Sequence, residues 1–264
     1  MEFLRASQRK NLLSESAYVA LNLALVVVVF SLVYISEQVL AALLLILLSK
    51  WRVLAVRMRY WYTNIVANLV DIVVGFSAVG LLYLAGTAQE QVALWLQVGV
   101  AVLYAAWLTA LKPRSGQKAM RTQALIGLFV GTWVVTAFSY VLTLPGSLVL
   151  YYLIGYGAAH HALSIHKEQQ PSLLSMVAGL LLAELGWVVY HWTAAYGVLL
   201  SGDFKVPQIA IVAVLAALMV ERSYAAVLAK RSIKTPEYSI PILFSVFAIV
   251  AVVLFFSATG SGLS

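Results

Sequence analysis

Runs of roughly 20 apolar residues recur along the whole chain, each long enough to cross about 30 Å of hydrocarbon. A chain built this way can satisfy its backbone hydrogen bonds in lipid only as helices or as a closed barrel. The runs are continuous rather than alternating, so helices are expected. The composition agrees: 63% of the 264 residues are hydrophobic and 10% are charged, against about 25% charged in a soluble domain. The expected fold is therefore an all-α, polytopic transmembrane helix bundle forming one domain over residues 1–264.

The spans are placed at roughly 17–35, 38–56, 62–85, 91–111, 122–143, 146–164, 172–199, 206–222 and 239–258. Turn signals separate them: Ser36-Glu37, Gly86 to Glu90, Lys112-Pro113-Arg114-Ser115-Gly116, Pro145-Gly146, and Gly202-Asp203. The second span is the shortest, with an uninterrupted apolar run only from Val39 to Leu48. A re-entrant hairpin is the alternative there. A full crossing is favoured, with Lys50 and Arg52 snorkelling to the interface. The first run, Ala17 to Ile35, is too long for a signal-peptide core and is expected to be a retained span. All six prolines are expected at span ends or in loops.

Charge then orients the bundle. Sixteen of the seventeen Lys and Arg residues fall at one set of alternate breaks, and only Lys205 falls at the other. The positive-inside rule puts that basic side, and the N-terminus with it, in the cytoplasm, and the C-terminus outside. A bacterial inner (plasma) membrane is the expected location. The net charge of +7 is thereby a topology signal facing anionic headgroups, and no nucleic-acid partner is expected. The alternating basic and aromatic stretch Trp51 to Tyr62 suits a helix at headgroup level. The chain has no cysteine, which excludes disulfides, thiolate metal sites and cysteine nucleophiles. Neither a Walker motif nor G-x-S-x-G is present, so an ATPase or a hydrolase of the soluble type is not expected. No span carries an interior lysine suited to a retinal Schiff base.

A few polar residues lie inside the spans. Asn64, Asn68, Asp71 and Gly75 are spaced 4, 3 and 4 in the third span and share one helix face. Asp71 is about 15 Å from the start of that span, near its middle. A carboxylate there costs about 2.5–3.5 kcal/mol and calls for a partner, water or the bundle interior. It is either an ion or proton site with Asn64 and Asn68 as hydrogen-bond partners, or a buried network that locks helices together. Glu184 in the seventh span is followed by His191 on the same face, about 10 Å further along. A carboxylate and an imidazole in line are the parts of a proton relay; a carboxyl hydrogen-bonded to another span is the alternative. Lys112, Arg114 and Lys167 on the basic side are candidates for holding a lipid headgroup.

Other polar features read as packing. Thr132, Thr136 and Ser139, together with Asn22 and Gln97, are expected to make interhelical hydrogen bonds. The GxxxG at Gly127 and Gly131, and the small face of Ser175, Gly179 and Ala183, are expected to pack within the chain rather than between copies. His160, His161 and His166 lack the i, i+4 spacing of a helical metal pair; no metal and no cofactor is expected. Glu221-Arg222 should pair with the basic loops.

The segment Arg57 to Ser77, with Trp61-Tyr-Thr-Asn-Ile-Val-Ala-Asn-Leu-Val-Asp71 at its centre, resembles uncharacterised multi-span proteins of candidate-phylum episymbiotic bacteria of the Saccharibacteria type. Gly155-Tyr-Gly-Ala-Ala-His-His161 and Glu184-Leu-Gly-Trp-Val-Val-Tyr-His-Trp192 extend it. The resemblance implies a multi-pass fold and no site residue.

Three function classes follow. The first is a transporter or channel-like protein for a proton, ion or small solute, with Asp71, Glu184 and His191 as its charged centre. The second is an accessory subunit of a membrane assembly. The third is an intramembrane enzyme acting on a lipid or polyprenyl carrier. Membrane lipids, further copies of the chain and other membrane subunits are the expected partners.

Overall fold

The computed structural model describes residues 2–166, 168, 170–192, 194–197, 204–229 and 232–257, with side chains over 14–254 of those. Ten α-helices and one short hairpin make up the regular structure of these residues: α1 (Glu2–Tyr34), α2 (Val39–Ser49), α3 (Trp51–Leu54), α4 (Trp61–Gly86), α5 (Glu90–Ala106), α6 (Gln117–Ala137), α7 (Leu144–Ile165), α8 (Pro171–His191), α9 (Gln208–Leu228) and α10 (Pro236–Ser257). A 3₁₀ turn, Met58–Tyr60, leads into α4, and a π-helical turn, Trp107–Leu111, continues α5. Seven helical segments are long and apolar enough to cross a membrane: the Ser14–Tyr34 part of α1, α4 with its 3₁₀ turn, α5 with its π turn, α7, α8, α9 and the Pro236–Leu254 part of α10. This is the architecture of a multi-pass membrane protein.

The expected spans are corrected in four places. α2 is only 11 residues, about 16 Å at 1.5 Å per residue, half of what a crossing needs. The chain breaks at Lys50 and resumes as the four-residue α3, so the stretch 38–56 is not one helix. The physical reason is the pull on Lys50: its side chain turns into the bundle and is 8% exposed, instead of snorkelling out. α6 runs over Gln117–Ala137, five to six residues earlier than the expected 122–143, so Ser139 lies beyond it; Lys118, Arg121 and its Gln and Thr residues make it less apolar than the seven segments above. α8 stops at His191, and the remainder of the expected seventh span forms strand β1 (Ala195–Gly197), which pairs antiparallel with β2 (Lys205–Pro207). Finally, Pro241 sits inside α10, which starts at Pro236, not at 239.

The α1–α2 connection is tight. Gln38 N–H donates back across the turn to Leu32 C=O at 3.0 Å. Glu37 takes a left-handed conformation at φ 52° in this turn, where glycine is usual.

α4 is the axis of the bundle. It packs against α1, α2, α5, α6 and α7 and buries residues around much of its circumference, among them Val66, Leu69, Val70, Val74, Ser77 and Leu82. Small residues allow this. The GxxxG of α6 lies against α4: a Cβ on Gly127 would meet Val70 Cγ1 at 2.8 Å, and one on Gly131 would meet Val73 Cγ1 at 2.7 Å. The expected face of Ser175 and Gly179 packs on α7 in the same way: a Cβ on Gly179 would meet the Tyr152 carbonyl oxygen at 2.8 Å. The outer faces of α8 and α10 are apolar and open, with Leu180, Leu181, Val188, Leu243, Phe247 and Leu254 all exposed. Apolar patches of this extent mark a surface made for lipid or for other proteins.

Candidate functional site

The most polar place inside the bundle is built on Asp71 of α4. Lys50, at the end of α2, is ion-paired with Asp71 Oδ2, and Lys112 Nζ lies 2.9 Å from the same oxygen. Trp107 Nε1–H donates to Asp71 Oδ1 at 3.1 Å. Both carboxylate oxygens are thus engaged, by two ammonium groups and an indole. Lys50 and Asp71 are buried, with side chains 7% and 12% exposed, and Lys112 is 31% exposed. Lys50 and Lys112 come from the ends of α2 and α5. Asp71 is therefore level with those ends rather than with their middles, and residues 61–70 of α4 run on past it.

The π turn is what brings Trp107 and Lys112 to one carboxylate. Lys112 N–H donates to Trp107 C=O at 2.8 Å, a five-residue closure. One extra residue per turn changes which side chains share a face, and such turns occur often at functional sites. The wide turn frees carbonyls that need donors. Tyr18 Oη–H of α1 donates to Leu108 C=O at 3.2 Å. Gln123 Nε2–H of α6 donates to Leu111 C=O at 2.6 Å and to Arg114 C=O at 2.9 Å. Gln123 Oε1 in turn faces His161 Nε2 at 2.8 Å.

One turn along α4 from Asp71, the Gly75 flank is met by Tyr104 and Lys50. A Cβ on Gly75 would lie 3.4 Å from Tyr104 Oη and 3.9 Å from Lys50 Cε. Tyr104 is 3% exposed, and its hydroxyl has no hydrogen-bond partner among the described residues.

The other expected residues lie elsewhere. Asn64 Nδ2–H donates to Val53 C=O at 3.3 Å and Asn68 Nδ2–H to Asn64 C=O at 2.8 Å. Both serve backbone carbonyls, and neither bonds to the Asp71 carboxylate. Glu184 and His191 sit on the exposed face of α8. His191 is ringed by aromatics, with Trp187 at 5.4 Å and Tyr190 at 5.5 Å between centroids. Asp71 and Glu184 therefore do not form one site, because α8 turns Glu184 outward while its small residues face α7. Arg114 is exposed and away from the Asp71 carboxylate. Lys167 lies outside the described residues.

A second ionic cluster ties α6 to α9. Arg121 Nη2 is 2.6 Å from Glu221 Oε1, with His166 Nε2 at 3.4 Å from that oxygen and Arg222 Nε 3.7 Å from Glu221 Oε2. Tyr224 Oη–H donates to the Glu168 carboxylate nearby. No group of three or more potential metal ligands occurs among the described residues. Thr136 of α6 is hydrogen-bonded to Tyr151 of α7 at 2.7 Å, and Gln97 of α5 donates to Leu82 C=O of α4 at 3.1 Å. These are the interhelical bonds that their types suit. At the opposite end of α4, some 20 Å from Asp71, a cavity of about 360 Å³ is lined by Leu84, Thr87, Thr136, Tyr140, Lys205 and Pro207.

Sequence reasoning singled out Asp71, expected Lys50 to snorkel to the interface and Lys112 to hold a lipid headgroup, and missed Trp107 and Tyr104. The available signal was that an acid inside a span needs a cation, and basic residues end the two neighbouring helices.

Comparison with protein-family models, with curated proteins and with solved structures returns no match.

Proposed function

We propose that this multi-pass membrane protein is a transporter or channel-like protein for a proton, ion or small solute, with Asp71 as its charged centre. The observation that carries the reading is the Lys50–Asp71–Lys112 cluster, in which a buried lysine and the Asp71 carboxylate meet a part-exposed lysine at the end of a π turn. Charges within membrane-spanning helices are costly, face the protein interior and mark ion, proton or substrate pathways. The cavity lined by Thr87, Thr136 and Lys205 at the far end of α4 supports the same reading, since passage needs an opening at each side. By the positive-inside rule the Asp71 end faces the cytoplasm of a bacterial inner membrane. The test is flux in proteoliposomes, of protons and of candidate solutes, for the wild type and for Asp71→Asn. Loss of flux in a variant that still purifies as a folded protein supports the reading; unchanged flux overturns it.

A second reading, an accessory subunit of a membrane assembly, is favoured by Glu184. A carboxylate on an exposed apolar face costs about 2.5–3.5 kcal/mol in lipid, a cost removed if a partner helix covers it. In that case the purified chain alone shows no flux, and subunits copurify in fixed ratio with the wild type but not with Glu184→Leu.

A further inference from the structure

The Asp71 cluster has more donors than acceptors. Two ammonium groups meet one carboxylate, which leaves one positive charge in excess. Each ammonium carries three donors, and among the described residues Asp71 is the only acid paired with either. Both carboxylate oxygens are already engaged, Oδ2 by the two ammonium groups and Oδ1 by Trp107. Beside it, the Tyr104 hydroxyl is buried, 3% exposed and without a partner, and it meets the Gly75 flank together with Lys50. A buried hydroxyl left unpaired is destabilising, because it has given up its hydrogen bonds to water for none in the protein. A buried site with spare N–H and O–H groups and an excess positive charge is complementary to an anion rich in acceptors.

We infer that Lys50, Lys112 and Tyr104 bind an oxyanion, a carboxylate or phosphate group, beside Asp71. The inference rests on the proposed transport reading and names the substrate class of that site. Lys112 is the group through which the ligand enters, because its side chain is 31% exposed while Lys50 is buried. Asp71 competes with the ligand for the same ammonium groups. Neutralising Asp71 should therefore tighten oxyanion binding, whereas a purely structural ion pair predicts no saturable binding in any variant.

The oxyanion has two possible sources, a free solute or a lipid headgroup, and two arms separate them. In the first, the full chain in zwitterionic detergent is titrated calorimetrically with sodium phosphate and sodium acetate, against sodium chloride at equal ionic strength. In the second, the chain is placed in nanodiscs containing phosphatidylglycerol, and retained lipid is read by native mass spectrometry. Saturable phosphate or acetate binding, weakened about tenfold by Tyr104→Phe and by Lys112→Gln and strengthened by Asp71→Asn, supports a free oxyanion. Phosphatidylglycerol retained by the wild type and lost in Tyr104→Phe and Lys112→Gln supports a headgroup. Binding in neither arm, equal binding of chloride, or binding indifferent to Tyr104→Phe overturns the inference. Flux that depends on Asp71 without oxyanion binding leaves the transport reading standing and removes this one. Oxyanion binding without any flux does the reverse.

Discussion

Lys112 Nζ lies 2.9 Å from Asp71 Oδ2, and it shares that oxygen with the more deeply buried Lys50. The two lysines are not equivalent. Removing Asp71 strands both, and an uncompensated buried charge costs about 3–5 kcal/mol. Asp71→Asn is thus expected to lower unfolding stability by that amount. Lys112→Gln leaves a balanced Lys50–Asp71 pair and should cost about 1 kcal/mol or less, as partly exposed pairs do. Denaturant titration of the two variants in one detergent checks the ranking. Equal losses would contradict it.

Gln123 holds the π turn from outside by donating to the carbonyls of Leu111 and Arg114. Gln123→Leu keeps approximate volume and removes both donations. Leu111 C=O keeps the Arg114 N–H as a donor, so the Arg114 carbonyl is the one left without its partner, and the loss expected is about 1–3 kcal/mol. Hydrogen exchange should quicken at Lys112 and Arg114, whose amides close the turn and the bend after it. Unchanged protection there would mean that the turn does not depend on α6.

Glu37 occupies a left-handed position at φ 52°. A side chain there costs roughly 1–2 kcal/mol that glycine avoids. Glu37→Gly is expected to stabilise the protein by about 1 kcal/mol, with the α1–α2 hydrogen bonds retained. A measured destabilisation would show that the Glu37 side chain itself contributes contacts.

Gly179 of α8 faces the backbone of α7, where a Cβ would stand 2.8 Å from the Tyr152 carbonyl oxygen. Backbone cannot yield as a side-chain tip can. Gly179→Leu should force α7 and α8 apart and cost at least the 1–3 kcal/mol typical of overpacking. Gly99, with no atom near its Cβ position, is the control: Gly99→Leu should leave the thermal midpoint close to that of the wild type.

Much of this architecture is legible in the sequence because length and apolarity decide whether a segment can cross a membrane. The boundaries of α4 and α7 follow from their runs and turn residues to within two residues, whereas α9 runs to Leu228, six residues past the expected end at 222. Asp71 could be singled out because a carboxylate has no business in a span without a partner. Its partners could not be named from spacing alone. Lys50 and Lys112 lie 21 residues before it and 41 after it, and which way a lysine at a helix end turns depends on what its neighbours offer. The π turn is a tertiary effect, sustained by Tyr18 and Gln123 from two other helices, and leaves no periodic trace in Trp107–Leu111. The Asn64–Asn68–Asp71 face misled because shared face implied shared task, whereas the nearby break at α3 left a carbonyl, that of Val53, for Asn64 to serve. Glu184 and His191 do share a face, as their spacing implies, but that face is exposed, because the glycines of α8 face α7 and set the helix's rotation.

The shortness of α2 has an electrical consequence. Eleven residues cover about half of the hydrocarbon thickness, so α2 alone does not carry Lys50 from one face of a membrane to the other. Moving one elementary charge through 100 mV is worth about 2.3 kcal/mol. A displacement of the Lys50 or Lys112 ammonium through part of the membrane's thickness would couple to the membrane potential in proportion to the share of the voltage it crosses.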